Sequence, residues 1–384
     1  MKVLLIGEYS RFHNSLKEGL VANDCEVYIV GHGDSFKNFP VDYNIDASLF
    51  KNNYLLTKLR NAIHLITGFD IASFETYFRF RNIKNELRGF DVVQLINETP
   101  FNINLQVEWK ILKYLLQQNK KAFLVSCSDD YIFIQFLMSE VFSYSTLTPF
   151  LQDKNLAKKY KNTLRYITKS QKRIHDRVFQ ELLGVIPASV EYLLAYKGHS
   201  KMLPLIPYPI NVDKIKYEPL YLNDKIIIFH GINEANYLKK GNNYFEKALE
   251  IIQRKYRDKI EIVITRSLPY AEYIDKLKQA HIVLDQTYAH DQGVNALEAM
   301  AMGKVVFTGA GKEFYEYYDL DETVAINAKP DVQYLAGKLE ELINNPHKIL
   351  EIGSNARAFV EKEHHYITIA KRYLDCWKSE KISK

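Results

Sequence analysis

The stretch His290–Gly303, HDQGVNALEAMAMG, groups residue types that suit the binding of a phosphorylated ligand. It follows an apolar run, IVLDQ, and breaks at Gly293 before a helix expected from about Asn295. A helix N-terminus offers unpaired N–H groups and a partial positive charge, which together suit a diphosphate. Gly293 lets the backbone come close to such a ligand. Glu298 falls about one turn into the helix, where its two oxygens can accept hydrogen bonds from a cis-diol. The same pattern also fits an ordinary helix start with a well-placed acid, with Ala299–Met302 as core.

Two other loops place polar groups behind apolar runs. Gly7–Asn14 follows Val3–Ile6 and offers Arg11, His13 and Asn14 to an acceptor or a phosphate. His13 and Asn14 read equally as caps of the helix that follows. Ligands of open α/β sheets bind outside the carboxyl ends of the strands, so this loop is expected to face a cleft. Asp129 and Asp130 follow the run AFLVS, and helix capping by Asp129 competes there with a role in chemistry. The first strand leads into IGEYSRFHNS, with one glycine where a dinucleotide site needs three, and no G-x-x-x-x-G-K-[ST] occurs. The sequence thereby speaks against a nicotinamide dehydrogenase and a P-loop kinase.

The elements that must position these residues alternate along the chain. At 384 residues, two domains are expected. Val3–Ile6, Val27–Val30, Val92–Ile96, Ala122–Val125 and Val185–Ile186 read as buried parallel strands. Helical spacing between them includes Ser15–Ala22, Ser73–Leu87 and Leu105–Leu116. Pro204, Pro207 and Pro209 then mark an extended linker. Strands are expected again at Lys225–Phe229, Ile260–Ile264, Ile282–Asp285, Val305–Thr308 and Val324–Ile326, with helices at Asn243–Lys255 and Asn295–Met302. Three helices finish the chain: Val332–Asn344, His347–Lys362 and Tyr366–Lys378. The fold class is α/β, two Rossmann-like doubly wound halves facing across a cleft.

MKVLLIGEYS reads as a first strand, since a signal peptide needs a longer apolar run and a small-residue cleavage site. No apolar stretch approaches the roughly 18–20 residues that span a bilayer. Three scattered cysteines, Cys25, Cys127 and Cys376, build neither a disulfide framework nor a zinc site. A cytoplasmic protein, or one at the inner membrane face, is expected. The net charge is +5, yet Lys154–Arg177 holds nine Lys/Arg against Asp176 alone. That segment reads as a helix with Leu156, Tyr160, Leu164 and Ile167 on its buried side. Its basic face is either solvated or drawn to anionic lipid headgroups. No nucleic-acid recognition motif accompanies it.

GVNALEAMAMGKVVFTG resembles the donor-site signature E-x-F-G-x-x-x-x-E-A-M-A-x-G-x-P-V of the retaining family 4 (group 1) glycosyltransferases. FHGINEANYLKKGNNYFEKAL is similar to that family's glycine turn and later Lys-Gly, and PYPINVDKI to its interdomain segment. The likeness is clear over about Pro204–Gly309 and vague before it. It implies a GT-B fold: an acceptor-side domain over 1–203, a linker over 204–223, and a donor domain over 224–365. The last helix, 366–384, is expected to return to the first domain with Tyr373 and Trp377 as anchors.

The resemblance further implies that Glu298 binds ribose hydroxyls, that Gly293, Val294 and Asn295 hold the phosphates, and that Lys240 neutralises the leaving diphosphate. Gly231 stands at the glycine turn. The family's first glutamate is His290 here, so a donor contact falls to His290 or Asp291, and His290 is also a catalytic candidate as a base near neutral pH, against a structural or solvated ring. Its arginine after the glycine turn is absent, and Lys239 or Arg266 is the expected substitute. Asp129 or Asp130 is then a candidate to hold an acceptor hydroxyl or to stabilise positive charge at the anomeric carbon, and Gly7, Arg11, His13 and Asn14 are acceptor-side candidates. The activity implied is transfer of a sugar from a UDP- or GDP-linked donor to a glycan or lipid-linked acceptor, as in polysaccharide biosynthesis. It proceeds with retention and needs neither metal nor cofactor. Two rivals are a non-catalytic GT-B subunit partnering another glycosyltransferase and a nucleotide-sugar epimerase.

Overall fold

Branched apolar runs bounded by polar turns build two parallel sheets. The structure, a computed structural model, describes residues 1–34, 39–222 and 224–379. Residues 35–38 of the expected first domain, residue 223 of the expected linker and 380–384 of the expected last segment lie outside the described residues. The first sheet contains β1 (Lys2–Ile6), β2 (Glu26–Gly31), β3 (Tyr43–Asn44), β4 (Val92–Leu95), β5 (Lys121–Ser126) and β6 (Gly184–Pro187). Their spatial order is β3-β2-β1-β4-β5-β6. The second holds β7 (Ile226–Ile232), β8 (Ile260–Arg266), β9 (Ile282–Leu284), β10 (Val305–Thr308) and β11 (Ile326–Asn327), ordered β11-β10-β9-β7-β8. Every pairing is parallel.

These orders decide where ligands bind. The chain reverses direction of build-up between β1 and β4 in one sheet and between β7 and β9 in the other. Helices leave opposite faces at such a switch point and open a crevice at the carboxyl ends of the strands. The loops after β1, β5, β7 and β9 meet in that crevice.

The two halves also share a seam. Ile210 donates its N–H to His364 O at 2.8 Å, and Tyr366 N–H returns to Ile210 O at 3.1 Å. The helix Tyr366–Lys378 then lies on the helix Phe12–Val21, with Tyr373 and Trp377 fully buried. A Cβ at Gly19 would sit 2.2 Å from Tyr366 O, so the two helices touch backbone to backbone.

The basic segment is not one helix. It forms a 3-10 turn Lys154–Lys158, a short helix Lys161–Leu164, a second 3-10 turn Arg165–Ile167, and a helix Lys169–Glu181. Asp153 caps the first turn through Asn155 N at 3.0 Å, and Thr168 caps the last helix through Gln171 N at 3.3 Å. Each cap restarts the backbone, so the expected stripe is broken. Tyr160 is buried, while Leu156, Leu164 and Ile167 are half-buried. Among the described residues no helix is long and apolar enough to cross a membrane.

Candidate functional site

The helix Val294–Ala301 starts at Gly293 and divides two cavities. A cavity of about 460 Å³ is lined by Gly293, Val294, Asn295, Lys240, Asp285 and Asp291, and from the first sheet by Tyr9, Ser10 and Asp129. A second, of about 690 Å³, is lined by Glu298, Val294 and Met302, and from the other half by Arg11, Ser15 and Asn211. Val294 borders both, so the helix N-terminus lies between the chamber that holds Glu298 and the one that holds Lys240. Unpaired N–H groups at such a terminus attract an anion.

Lys240 is held in place by its surroundings. Its Nζ lies 2.6 Å from Asp285 Oδ1, and Thr308 Oγ1 donates to the other Asp285 oxygen at 3.2 Å. Thr287 N–H donates to Lys240 O at 2.9 Å. The next residue, Gly241, has φ +65, and a Cβ there would fall 2.0 Å from Thr287 Oγ1. Glycine alone fits that turn.

The first-sheet wall is strained. Ser10 and Arg11 both have positive φ, 49 and 69. Asp34 Oδ2 accepts Ser10 N–H at 2.9 Å and helps hold that shape. Left-handed non-glycine residues cost on the order of 1–3 kcal/mol each and concentrate at functional loops. Gly7 behind them has φ +82, with Ile96 Cγ2 only 2.4 Å from where a Cβ would stand.

Of the residues singled out from the sequence, Lys240, Asp129, Asp291, Gly293, Val294, Asn295, Glu298 and Arg11 line the two cavities. The others do other work. His290 is stacked between Phe142 and Tyr144, with ring centroids 4.1 and 4.6 Å away, and its Nε2 donates to Tyr144 O at 2.9 Å. Burial lowers its pKa. It is a packed ring outside the cleft lining. Lys239 reaches across to Thr163 Oγ1 and to Asp129 Oδ2, the latter at 3.3 Å, so it ties the halves together. Arg266 turns to Glu234 and Glu246 outside the cleft.

Gly231 is no turn. It lies inside β7, where its missing side chain admits the Tyr273 ring. Asp130 is buried, accepting from Phe133 N at 2.7 Å, Ser126 Oγ at 2.7 Å and Tyr196 Oη at 2.9 Å. It caps its helix where Asp129 was the expected cap, and burial pushes its carboxyl up to about 7. His13 is buried with Nδ1 2.7 Å from Gly7 O, and desolvation drives its pKa down to about 3. Asn14 donates through N and Nδ2 to Glu8 Oε2 at 2.8 and 2.6 Å. Glu8, not His13 or Asn14, therefore satisfies the start of that helix.

Asp285 and Glu191 were missed. Asp285 follows β9 at the switch point, a position that alone could have flagged it. Glu191 sits in the helix Val190–Tyr196 and lines the smaller cavity with no local pattern to announce it. Among the described residues no three His, Cys, Asp or Glu side chains gather as metal ligands.

The model of a family described as glycosyl transferase-like matches residues 234–375. No curated protein matches the chain. Among solved structures, Anabaena HepE in complex with UDP and glucose is 14% identical, with TM-score 0.54 over 98% of each chain. A Staphylococcus aureus TarM mutant in complex with fondaparinux, α-GlcNAc-glycerol and UDP is 12% identical, with TM-score 0.62 over 98% of this chain and 100% of that one. A glycosyltransferase from Rickettsia africae is 13% identical, with TM-score 0.54 over 100% of this chain and 98% of that one. The fold is GT-B, a glycosyltransferase-like architecture of two parallel-sheet halves.

Proposed function

We propose that the chain transfers a sugar from a nucleotide sugar to a glycan or lipid-linked acceptor. The observation that carries this is the helix start at Gly293–Val294 set between two chambers, with Glu298 in one and Lys240 in the other. A nucleoside fits the larger chamber with its ribose diol on Glu298. The diphosphate then meets the helix N-terminus, and the sugar enters the smaller chamber beside Lys240. HepE and TarM, which share the fold, were each solved with UDP, which favours a UDP-linked donor. Lys240 and the helix N–H groups together neutralise charge on the departing diphosphate, so the reaction as proposed needs no metal. Transfer proceeds with retention, the leaving phosphate oxygen taking the acceptor proton on the same face.

A second reading, a non-catalytic subunit of the same fold, is favoured by one observation: Lys239, Arg266 and His290 are spent on protein contacts. Thermal-shift titration with UDP, GDP, ADP, CMP and their sugar conjugates, with and without EDTA, separates the two when combined with donor-turnover assays. A selective, EDTA-insensitive shift lost in Glu298→Ala, with nucleotide released when acceptor is added, is the expected result. Binding without turnover against any acceptor extract favours the second reading. No shift with any nucleotide overturns the transferase and leaves the non-catalytic subunit.

A further inference from the structure

We infer that the helix Tyr54–Thr67 is a docking element for an anionic lipid surface. It is capped at its start, with Asn53 Oδ1 accepting from Leu55 N and Leu56 N at 3.0 and 3.1 Å, and it ends on Gly68 in the left-handed conformation. It is a complete helix, yet none of its residues is buried. Leu55, Leu59 and Ile66, spaced by four and seven, lie on one side with Ala62 between them. Their exposures are 74%, 51% and 82%, and Leu65 beside them reaches 87%. Isolated exposed apolar residues are ordinary, but a contiguous stripe along one helix is not. The apolar surface continues through Phe69, whose ring lies 5.2 Å from that of Phe74, itself 49% exposed, and on to Phe78 at 58%.

The charge around this surface selects the occupant. Between Lys51 and Lys84 there are six Lys/Arg against Asp70 and Glu75. Both acids are already engaged, Asp70 by Arg60 at 2.5 Å and Glu75 by Arg79 at 2.8 Å, and Lys51 pairs with Asp46 at 2.7 Å, so the surplus charge rests on Lys58, Arg81 and Lys84. Lys58 stands over the Tyr54 ring at 4.4 Å, an amphipathic pair suited to the boundary between acyl chains and headgroups. A groove of about 560 Å³ runs from His64 and Gly68 to Arg173 and Arg177, so the basic helix Lys169–Glu181 borders the same face. An exposed apolar stripe on a helix whose charged side chains, Lys58 and Arg60, are both basic is the pattern of a helix lying in a membrane interface. A second copy of the chain fits less well, because a two-fold contact would press two copies of the same net-basic surface together.

The groove also points toward the cleft. Asn102 lines it, and Asn102 Nδ2 donates at 2.9 Å to Tyr9 Oη, which lines the smaller chamber. A lipid-linked acceptor held at this face would lie on the acceptor side of the proposed reaction. The docking itself does not rest on that reaction, so the two fail separately.

The test is flotation of the full chain with phosphatidylcholine vesicles, with and without phosphatidylglycerol. Leu59→Glu and Ile66→Glu serve as variants; both positions are exposed and tolerate charge in the folded chain, which melting temperature confirms. The expected result is binding to the anionic vesicles, weakened by salt and by removing phosphatidylglycerol. Each variant should lower the partition coefficient about tenfold or more, with the UDP thermal shift unchanged. No flotation with anionic vesicles overturns the inference. So does flotation that both variants leave intact, or a wild-type dimer in solution that either variant dissolves.

Discussion

Lys240 and Asp285 meet at 2.6 Å on the wall of the smaller chamber, and the pair gives the lysine two states. Without ligand its charge is balanced by Asp285. With a diphosphate at the Gly293 helix start, the ammonium can serve the leaving group while Thr308 still steadies the acid. An interaction that strengthens as charge develops raises kcat, whereas one equal in ground and transition states changes KM alone. Lys240→Ala is therefore expected to lower kcat by about 10²–10³-fold, with a smaller change in nucleotide affinity, as steady-state kinetics would show. Glu298→Ala should act on the other parameter, weakening donor binding with kcat at saturation less affected. Equal losses in KM for both variants would mean that the lysine only binds.

The long-range ties of the fold run through whole elements. The last helix reaches the first domain by lying on the helix Phe12–Val21 at Gly19, where a Cβ would come 2.2 Å from Tyr366 O and 2.8 Å from Ala370 Cβ. Gly19→Ala must push the helices apart against a packed core. A loss of about 1–3 kcal/mol is expected, read as a lower urea midpoint with Tyr373 and Trp377 fluorescence shifted toward that of exposed rings. Wild-type stability would show that the helices separate freely. The spacing of Tyr373 and Trp377 was readable because one helix carries both, and the strand runs were readable because parallel strands are apolar throughout. The helix start at Gly293 was legible for the same local reason. Partners distant in the chain were not: Lys239 meets Asp129 110 positions away, and Val190 meets Asp291 101 away. Periodicity gives an element's inward face without giving what it will face. Lys239 and Arg266 therefore passed as donor cations until their carboxylate partners were in view. Local caps defeated periodicity in the basic segment, where Asp153 and Thr168 restart the backbone inside what reads as one stripe.

Across the molecule, the two halves hold each other by an exchange of carboxylates. Asp291, after β9, accepts Val190 N–H at 2.7 Å at the start of a first-domain helix. Glu191 of that helix accepts the N–H of His290, on the Asp291 loop. Burial pushes Asp291 up to about 6, and burial, then the nearby Asp291 charge, pushes Glu191 up to about 8. Burial also lowers the pKa of His290, which disfavours a compensating positive charge beside the pair. The folded, closed molecule thus keeps protons that an unfolded chain, with ordinary carboxyl groups, has released. A raised folded-state pKa contributes stability that is full below the unfolded value and lost as pH rises through the folded one. The pair's contribution to the melting temperature should therefore fall as pH climbs from about 5 to about 8.5, against an opposite contribution below about 6.5 from buried histidines such as His13 and His364. Glu191→Gln keeps an acceptor for His290 N–H and carries no charge. It should match the wild type near the acid end, exceed it near the alkaline end, and flatten the slope between them. A Gln variant whose curve runs parallel to the wild type at every pH would place the proton elsewhere. Small-angle scattering supplies the geometric side of the same argument: two ionised carboxylates at one seam repel each other, so the wild-type radius of gyration should grow toward alkaline pH while that of the Gln variant stays near its acid value.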